Sequence, residues 1–180
     1  MKSALVLFAE GSEELEAITI VNILRRAGVS VTLAGLTAGA LRGSRGVTLQ
    51  PDTTLDTVLH ECFDMIVLPG GQPGTGHLCA DVRVLKLLQR MASEGKYVTA
   101  ICAAPSVLAT AGLLDGKQAT SFPTCLNDYP AVHQQSTAIV EDGNIITSRG
   151  PGTAMDFALL LAERLAGKTK RDEVEAGLVR

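Results

Sequence analysis

The chain has 180 residues, with 16 basic and 19 acidic side chains, a net charge of −3, 46% hydrophobic residues, 19% charged residues and no Trp. That much apolar material excludes a disordered chain and predicts one well-buried core, a single domain over residues 1–180. No Lys/Arg run marks a nucleic-acid surface or a polybasic membrane patch, and no apolar stretch approaches the roughly 20 residues of a membrane span.

The first run, Lys2–Phe8, reads as a strand buried on both faces, and it is too short for a signal-peptide core. A helix should follow through AEGSEELEAITIVNILRRAG, capped by Gly11 or Ser12, with Glu13 and Glu14 at its positive end and Gly28 closing it. Val29–Gly35 is a second strand, and RGVTLQPD a short strand stopped by Pro51. TTLDTVLHECF reads as a helix, and Asp64–Gly71 as a strand ending in a Pro-Gly-Gly turn. Asp81–Gly95 is a helix, Lys96–Ile101 a strand, and APSVLATAGLL a helix with Pro105 in its first turn. SFPTCLNDYPAVHQQS is irregular. TAIVEDGNIITS predicts a hairpin turning at Asp142-Gly143, and GTAMDFALLLAERLAG an amphipathic helix, with one more over Thr169–Arg180. Strands alternating with helices predict a parallel sheet covered on both faces, whose ligands bind beyond the carboxyl ends of the strands.

Three features converge on that edge: the Glu-rich turn after the first strand, Pro69-Gly70-Gly71, and Cys102. Cys102 sits where a strand meets a helix. Free backbone N–H groups there favour a thiolate and lower its pKa, as at the nucleophile corner of hydrolases. The competing reading is a small buried core residue, which most free cysteines are. Glu16 bears on the choice. It heads a stripe with Ile20, Ile23 and Ala27 that is otherwise apolar. A core-facing carboxyl is held neutral by burial, and as a donor to the thiolate its replacement by Gln should raise the thiol pKa. Alternatively Glu16 bends out to solvent. Gly70 and Gly71 offer backbone N–H groups for an oxyanion, or form an ordinary turn. Arg149, in SRGPGT, stands at a second Gly/Pro turn that can accept an anion. Cys62, Cys79 and Cys125 read as structural or incidental, and His77 and His133 as surface residues. The wide cysteine spacing suits a reduced, cytoplasmic protein, and the three histidines lack ligand spacing, so no metal is expected.

AEGSEELEA, LPGG, TAICAAP and TSRGPGTAMDFAL occur in the order and spacing of the ThiJ/PfpI superfamily. They most resemble its Parkinsonism-associated deglycase branch and that branch's bacterial ThiJ/YajL-like members. The resemblance covers nearly the whole chain. It implies a flavodoxin-like α/β sandwich and a homodimer. It implies a reactive Cys102 with a protonated Glu16 beside it, backbone contacts from Gly70, Gly71 and Ala103, and Arg45 near the site and the dimer interface. Animal members have a histidine where this chain has Phe122, and the bacterial relatives share its FPT. Ala103 stands where the superfamily's peptidases have a histidine, and no late His-x-Glu pair is present, so peptidase and amidotransferase chemistry are not implied.

The expectation is a cofactor-independent glyoxalase and deglycase. Cys102 attacks a dicarbonyl such as methylglyoxal or a glycated protein or nucleotide, Glu16 moves protons, Gly70, Gly71 and Ala103 hold the oxyanion, and Arg45, Phe122 and Arg149 line the pocket. The alternative is a redox-sensing chaperone switched by Cys102 oxidation. A role in thiamine metabolism finds no thiazole or phosphate pocket in the sequence.

Overall fold

In the computed structural model, which describes residues 1–180, the apolar runs become strands and the amphipathic stretches pack over them. In chain order come β1 (Ser3–Phe8), α1 (Glu14–Arg26), β2 (Ser30–Gly35), β3 (Leu41–Arg42), β4 (Thr48–Leu49), β5 (Thr53–Thr54) and α2 (Leu55–Val58). β6 (Met65–Leu68), α3 (Gly74–Ala80), α4 (Val82–Ser93), β7 (Tyr97–Ile101) and α5 (Pro105–Thr110) follow. β8 (Gln118–Ala119), β9 (His133–Gln134), β10 (Ile139–Asp142), β11 (Ile145–Ser148), α6 (Ala154–Ala166) and α7 (Lys168–Ala176) complete the chain.

Seven strands form one sheet in the order β10-β11-β7-β6-β1-β2-β5, parallel except for the β10–β11 hairpin. The side-chain period of two splits each central strand between two cores. Leu5, Leu7, Ile66 and Leu68 face one core with α4 and α5; Ala4, Val6, Met65 and Val67 face the other with α1 and α6. This is the three-layer, flavodoxin-like arrangement expected. From β1 the chain builds outward to β2 and β5, then returns to β6 on the other side and builds toward β11. The crevice beyond the carboxyl ends of β1 and β6 is therefore a topological switch point.

Several elements differ from the sequence reading. The helix expected over TTLDTVLHECF shrinks to the four residues Leu55–Val58, with Leu55 and Val58 in the core; Phe63 reaches the same core from the loop that follows, and Thr53–Thr54 becomes an edge strand. The strand expected in RGVTLQPD is two residues, paired antiparallel with β3 outside the main sheet. α3 was not anticipated: Gly74 and Gly76 hide its period, and only Thr75 and Leu78 are buried side chains on it. Neither Gly11 nor Ser12 caps α1. Glu13 occupies the N-cap position without a side-chain bond to the helix, while Ser12 Oγ accepts from Ala9 N at 3.1 Å and closes the turn after β1. The hairpin loop is Gly143-Asn144, with Asp142 already paired to Ile145.

Candidate active site

The strand β7 ends at Ile101, and the chain turns sharply into α5. Cys102 has a φ of 65°, a left-handed backbone that costs a non-glycine residue roughly 1–3 kcal/mol. Three hydrogen bonds hold it there: Cys102 N donates to Ser148 O at 2.9 Å, Cys102 O accepts from Phe122 N at 2.7 Å, and Ala104 N donates to Ile101 O at 3.0 Å. The corner is close to the turn after β6. A Cβ on Gly70 would lie 2.7 Å from Cys102 Cβ and 2.9 Å from Ala103 N, so only glycine fits. Gly71, at φ 85°, would likewise meet Glu13 N at 2.4 Å.

Glu16 does not bend to solvent. It is fully buried, as are Ile20 and, nearly so, Ile23 and Ala27 along the stripe below it. Its Oε2 accepts from Gly70 N at 2.7 Å. Its Oε1 is buried without a hydrogen-bond partner, and the side chains that bear on the charge of this carboxyl are the Cys102 thiol and Glu13. Gly70 N–H is thus committed to Glu16 and is not free for an oxyanion. The Gly71 and Ala103 N–H groups favour the Cys102 sulfur instead.

Burial dominates the electrostatics of this pair. It pushes the Glu16 carboxyl up to about 7, against the opposing pull of Gly70 N–H and Cys102, with the neighbouring Glu13 charge adding to the rise. The Cys102 thiol is pushed up to about 12 by burial, then by the Glu16 charge and by its bond to Glu16. The Ala103 and Gly71 N–H groups pull it down and lose. The low-pKa thiol expected from the strand–helix corner is therefore corrected. Two acids in contact in a dry pocket cannot both ionise near neutrality, and the carboxyl gives up its proton first.

Cys102 is 8% exposed and opens on a cleft of about 500 Å³, shared with Gly71, Ala103, Arg45 and Phe122 and also lined by Glu13, Ser44 and Cys125. Arg45 lies at its rim, its Nε 3.9 Å from Glu13 Oε2. Arg149 is not in this cleft. It lines a neighbouring one of about 360 Å³ on the other side of Phe122, Pro123 and Thr124. Volume does not single out the site: a groove of about 550 Å³ along α1, past Ile18, Val21 and Arg25, contains no nucleophile. All four cysteines are free, Cys62 exposed and Cys79 partly buried. No three His, Cys, Asp or Glu side chains are grouped to hold a metal, and no helix is long and apolar enough to cross a membrane.

The sequence reading missed Glu14, Ser44 and the place of Cys125. Glu14 is 4% exposed, and its carboxylate accepts from Arg45 N and Val47 N, each at 3.0 Å. Ser44 Oγ donates to Glu13 Oε2 at 2.7 Å. These bonds fasten the 43–47 loop, and with it Arg45, to the start of α1. The loop is about thirty residues away in sequence, and no local spacing announces it. Cys125 follows Phe122 by three residues in a turn, Cys125 N donating to Phe122 O at 3.1 Å.

A family model, DJ-1/PfpI, matches residues 2–164. The chain is 49% identical to Protein dj-1beta of Drosophila melanogaster, over 99% of this chain and 97% of that one. It is 32% identical to the glutathione-independent glyoxalase DJR-1.2 of Caenorhabditis elegans, over 96% and 94%. The crystal structure of Drosophila melanogaster DJ-1beta superposes with a TM-score of 0.95 at 47% identity, covering 99% of this chain and 97% of that one. Oxidized Toxoplasma gondii DJ-1 also gives a TM-score of 0.95, at 36% identity over 99% and 98%.

Proposed function

The chain belongs to the DJ-1/PfpI family, and on that premise we propose that it is a cofactor-independent glyoxalase and deglycase acting on reactive dicarbonyls. One observation carries the reading: a fully buried carboxyl, Glu16, whose Oε1 has no hydrogen-bond partner and whose charge acts on a thiol on a strained corner that opens on a cleft. A carboxyl near 7 is poised as a general base at neutral pH. As the Cys102 sulfur bonds to the aldehyde carbon of methylglyoxal, Glu16 takes the thiol proton, so a high thiol pKa is no obstacle. The oxygen of the hemithioacetal takes hydrogen bonds from Gly71 and Ala103 N–H. Glu16 returns that proton to the hemithioacetal oxygen, then takes the hydrogen of that carbon and delivers it to the adjacent carbonyl carbon while the hydroxyl proton passes to the carbonyl oxygen, leaving a lactoyl thioester on Cys102. Water hydrolyses the thioester to lactate and frees the thiol. In a glycated protein or nucleotide adduct that carbon already bears the amine nitrogen, so the thiol would displace the amine, which takes the thiol proton from Glu16 as it leaves, and the same hemithioacetal follows. The glyoxalase name of the Caenorhabditis elegans relative supports this class of substrate.

The proposal includes a homodimer in the cytoplasm. Leu15, Ile18 and Val47 are about half exposed beside the site, apolar area that a second copy would cover. A monomer mass by sedimentation at micromolar concentration would remove the dimer.

The deciding experiment is methylglyoxal consumption with lactate detection, without glutathione or metal, on reduced wild type and on Cys102→Ser. Lactate from wild type alone is expected. No turnover from either would overturn the enzyme reading, and a partner bound only after oxidation of Cys102 would replace it with a redox sensor.

A further inference from the structure

Building on the attack of Cys102 on an aldehyde carbon, we propose that the polar cleft beside the active site is an anion subsite with Arg149 as its cation. The preferred substrates are then short aldehydes or dicarbonyls that carry a phosphate or carboxylate a few bonds from the carbonyl.

The sheet fixes Arg149 beside the thiol. Ser148 pairs with Ile101 as the last rung between β11 and β7, and Ser148 O accepts from Cys102 N at 2.9 Å. Parallel neighbours lie about 4.8 Å apart, so Cys102 and Arg149 leave the sheet side by side. Arg149 is also held by its own main chain, Arg149 N donating to Ala138 O at 3.0 Å. The separation of the two cavities is a ridge rather than a wall. Phe122 is 47% exposed, and its ring lies against Gly150, where a Cβ would come 3.5 Å from Phe122 Cδ2. A molecule bonded to Cys102 can cross that ridge.

The chemistry of the second cleft selects an anion. Arg25, Arg45, Arg83, Arg164, Arg171 and Arg180 all lie within ion-pair distance of carboxylates. The Arg149 guanidinium, half-buried, has neither an ion pair nor a side-chain hydrogen bond within the chain. No carboxylate lines its cleft, and the polar groups around it are the hydroxyls of Ser121, Thr124 and Ser136 and the amides of Gln134 and Gln135. A cation with five free donors, ringed by neutral hydrogen-bonding groups, is complementary to planar or tetrahedral oxyanions. Methylglyoxal, with no charge, would leave this cleft unused.

The test compares kcat/KM of the reduced full chain for three 2-oxoaldehydes: methylglyoxal, hydroxypyruvaldehyde phosphate and 4,5-dioxopentanoate. Wild type is expected to favour an anionic substrate. Arg149→Gln should lower the anionic-to-neutral ratio by about ten- to a hundredfold, mainly through KM, and Arg149→Lys should recover part of it. A preference for the phosphate over the carboxylate, or the reverse, names the source of the anion. A ratio that Arg149→Gln leaves unchanged overturns the subsite. A second readout needs no turnover: the ³¹P line width of inorganic phosphate, which wild type should broaden and Arg149→Gln should not. If none of the aldehydes is consumed, the enzyme reading fails, and phosphate broadening alone decides the subsite. Broadening that depends on Arg149 sustains it, and its absence overturns it.

Discussion

Glu14 and Glu16 lie two residues apart in the first turn of α1, both buried, and their surroundings drive them in opposite directions. Burial raises the pKa of each carboxyl. At Glu14 it is outweighed by the helix backbone, Val47 N–H, Arg45 N–H and the Ser44 hydroxyl, and the carboxyl ends below its ordinary value. At Glu16 there is one backbone donor and a thiol, and burial wins. Depth and donors act together: Glu16 lies deeper than Glu14 and has fewer donors, so it is the proton carrier and Glu14 the fixed anion. Glu14 faces a loop that can supply N–H groups. Glu16 faces a strand end and a strained corner that supply one.

The contrast has opposite signatures in pH. Glu14, with its pKa depressed, contributes stability that is present above the unfolded value near 4.5 and is lost as pH falls through the folded pKa. Glu16, with its pKa raised, contributes stability that is present below 4.5 and is lost as pH rises through about 7. The largest expected effect breaks the first half. Glu14→Ala strands Arg45 N–H and Val47 N–H, while Ser44 keeps its bond to Glu13, and should cost about 3 kcal/mol in a denaturant titration at neutral pH. A cost under about 1 kcal/mol would mean that water replaces the carboxylate. The next effect has the opposite sign. A displacement from 4.5 to about 7 is worth about 3 kcal/mol above neutrality. Glu16→Gln, which accepts a weaker bond from Gly70, should therefore stabilise the fold by about 2 kcal/mol at alkaline pH. That gain should vanish below pH 4.5, where both side chains are neutral. Equal stability at both ends of the range would contradict a buried charge. The smallest effect sharpens the boundary between the two. Ser44→Ala, which removes a hydroxyl bonded to Glu13 and near Glu14, should cost about 1 kcal/mol or less by the same titration.

The same contrast explains what the sequence disclosed. Glu16 was legible because a helix repeats every 3.6 residues, and a carboxyl at the head of Ile20, Ile23 and Ala27 must face inward. Cys102 was legible because a β-branched run met an Ala-rich helix at a single thiol. The strands β1, β6 and β7, buried on both faces, announced themselves as continuous apolar runs. What stayed hidden depends on distant chain. Glu14 resembled ordinary dipole decoration until the 43–47 loop folded onto it. Gly70 was expected to serve an oxyanion, and only the packed structure gives its N–H to Glu16. The sign of the thiol shift was misread because the corner's N–H groups are visible in sequence, whereas the depth of the pocket and the nearness of the carboxylate are not. The two-residue pairs β3–β4 and β8–β9 carry too few residues for any periodicity.

The pairing of Glu16 with Cys102 is tested most directly by titrating the Cys102 thiolate, through its ultraviolet absorbance, in wild type and Glu16→Gln, with Cys102→Ser subtracted from each. Wild type should keep the thiol protonated well into the alkaline range, its pKa pushed up to about 12, and Glu16→Gln should form thiolate at distinctly lower pH because the neighbouring charge is gone. A thiol pKa that is unchanged or raised in Glu16→Gln would contradict the shared-proton pair.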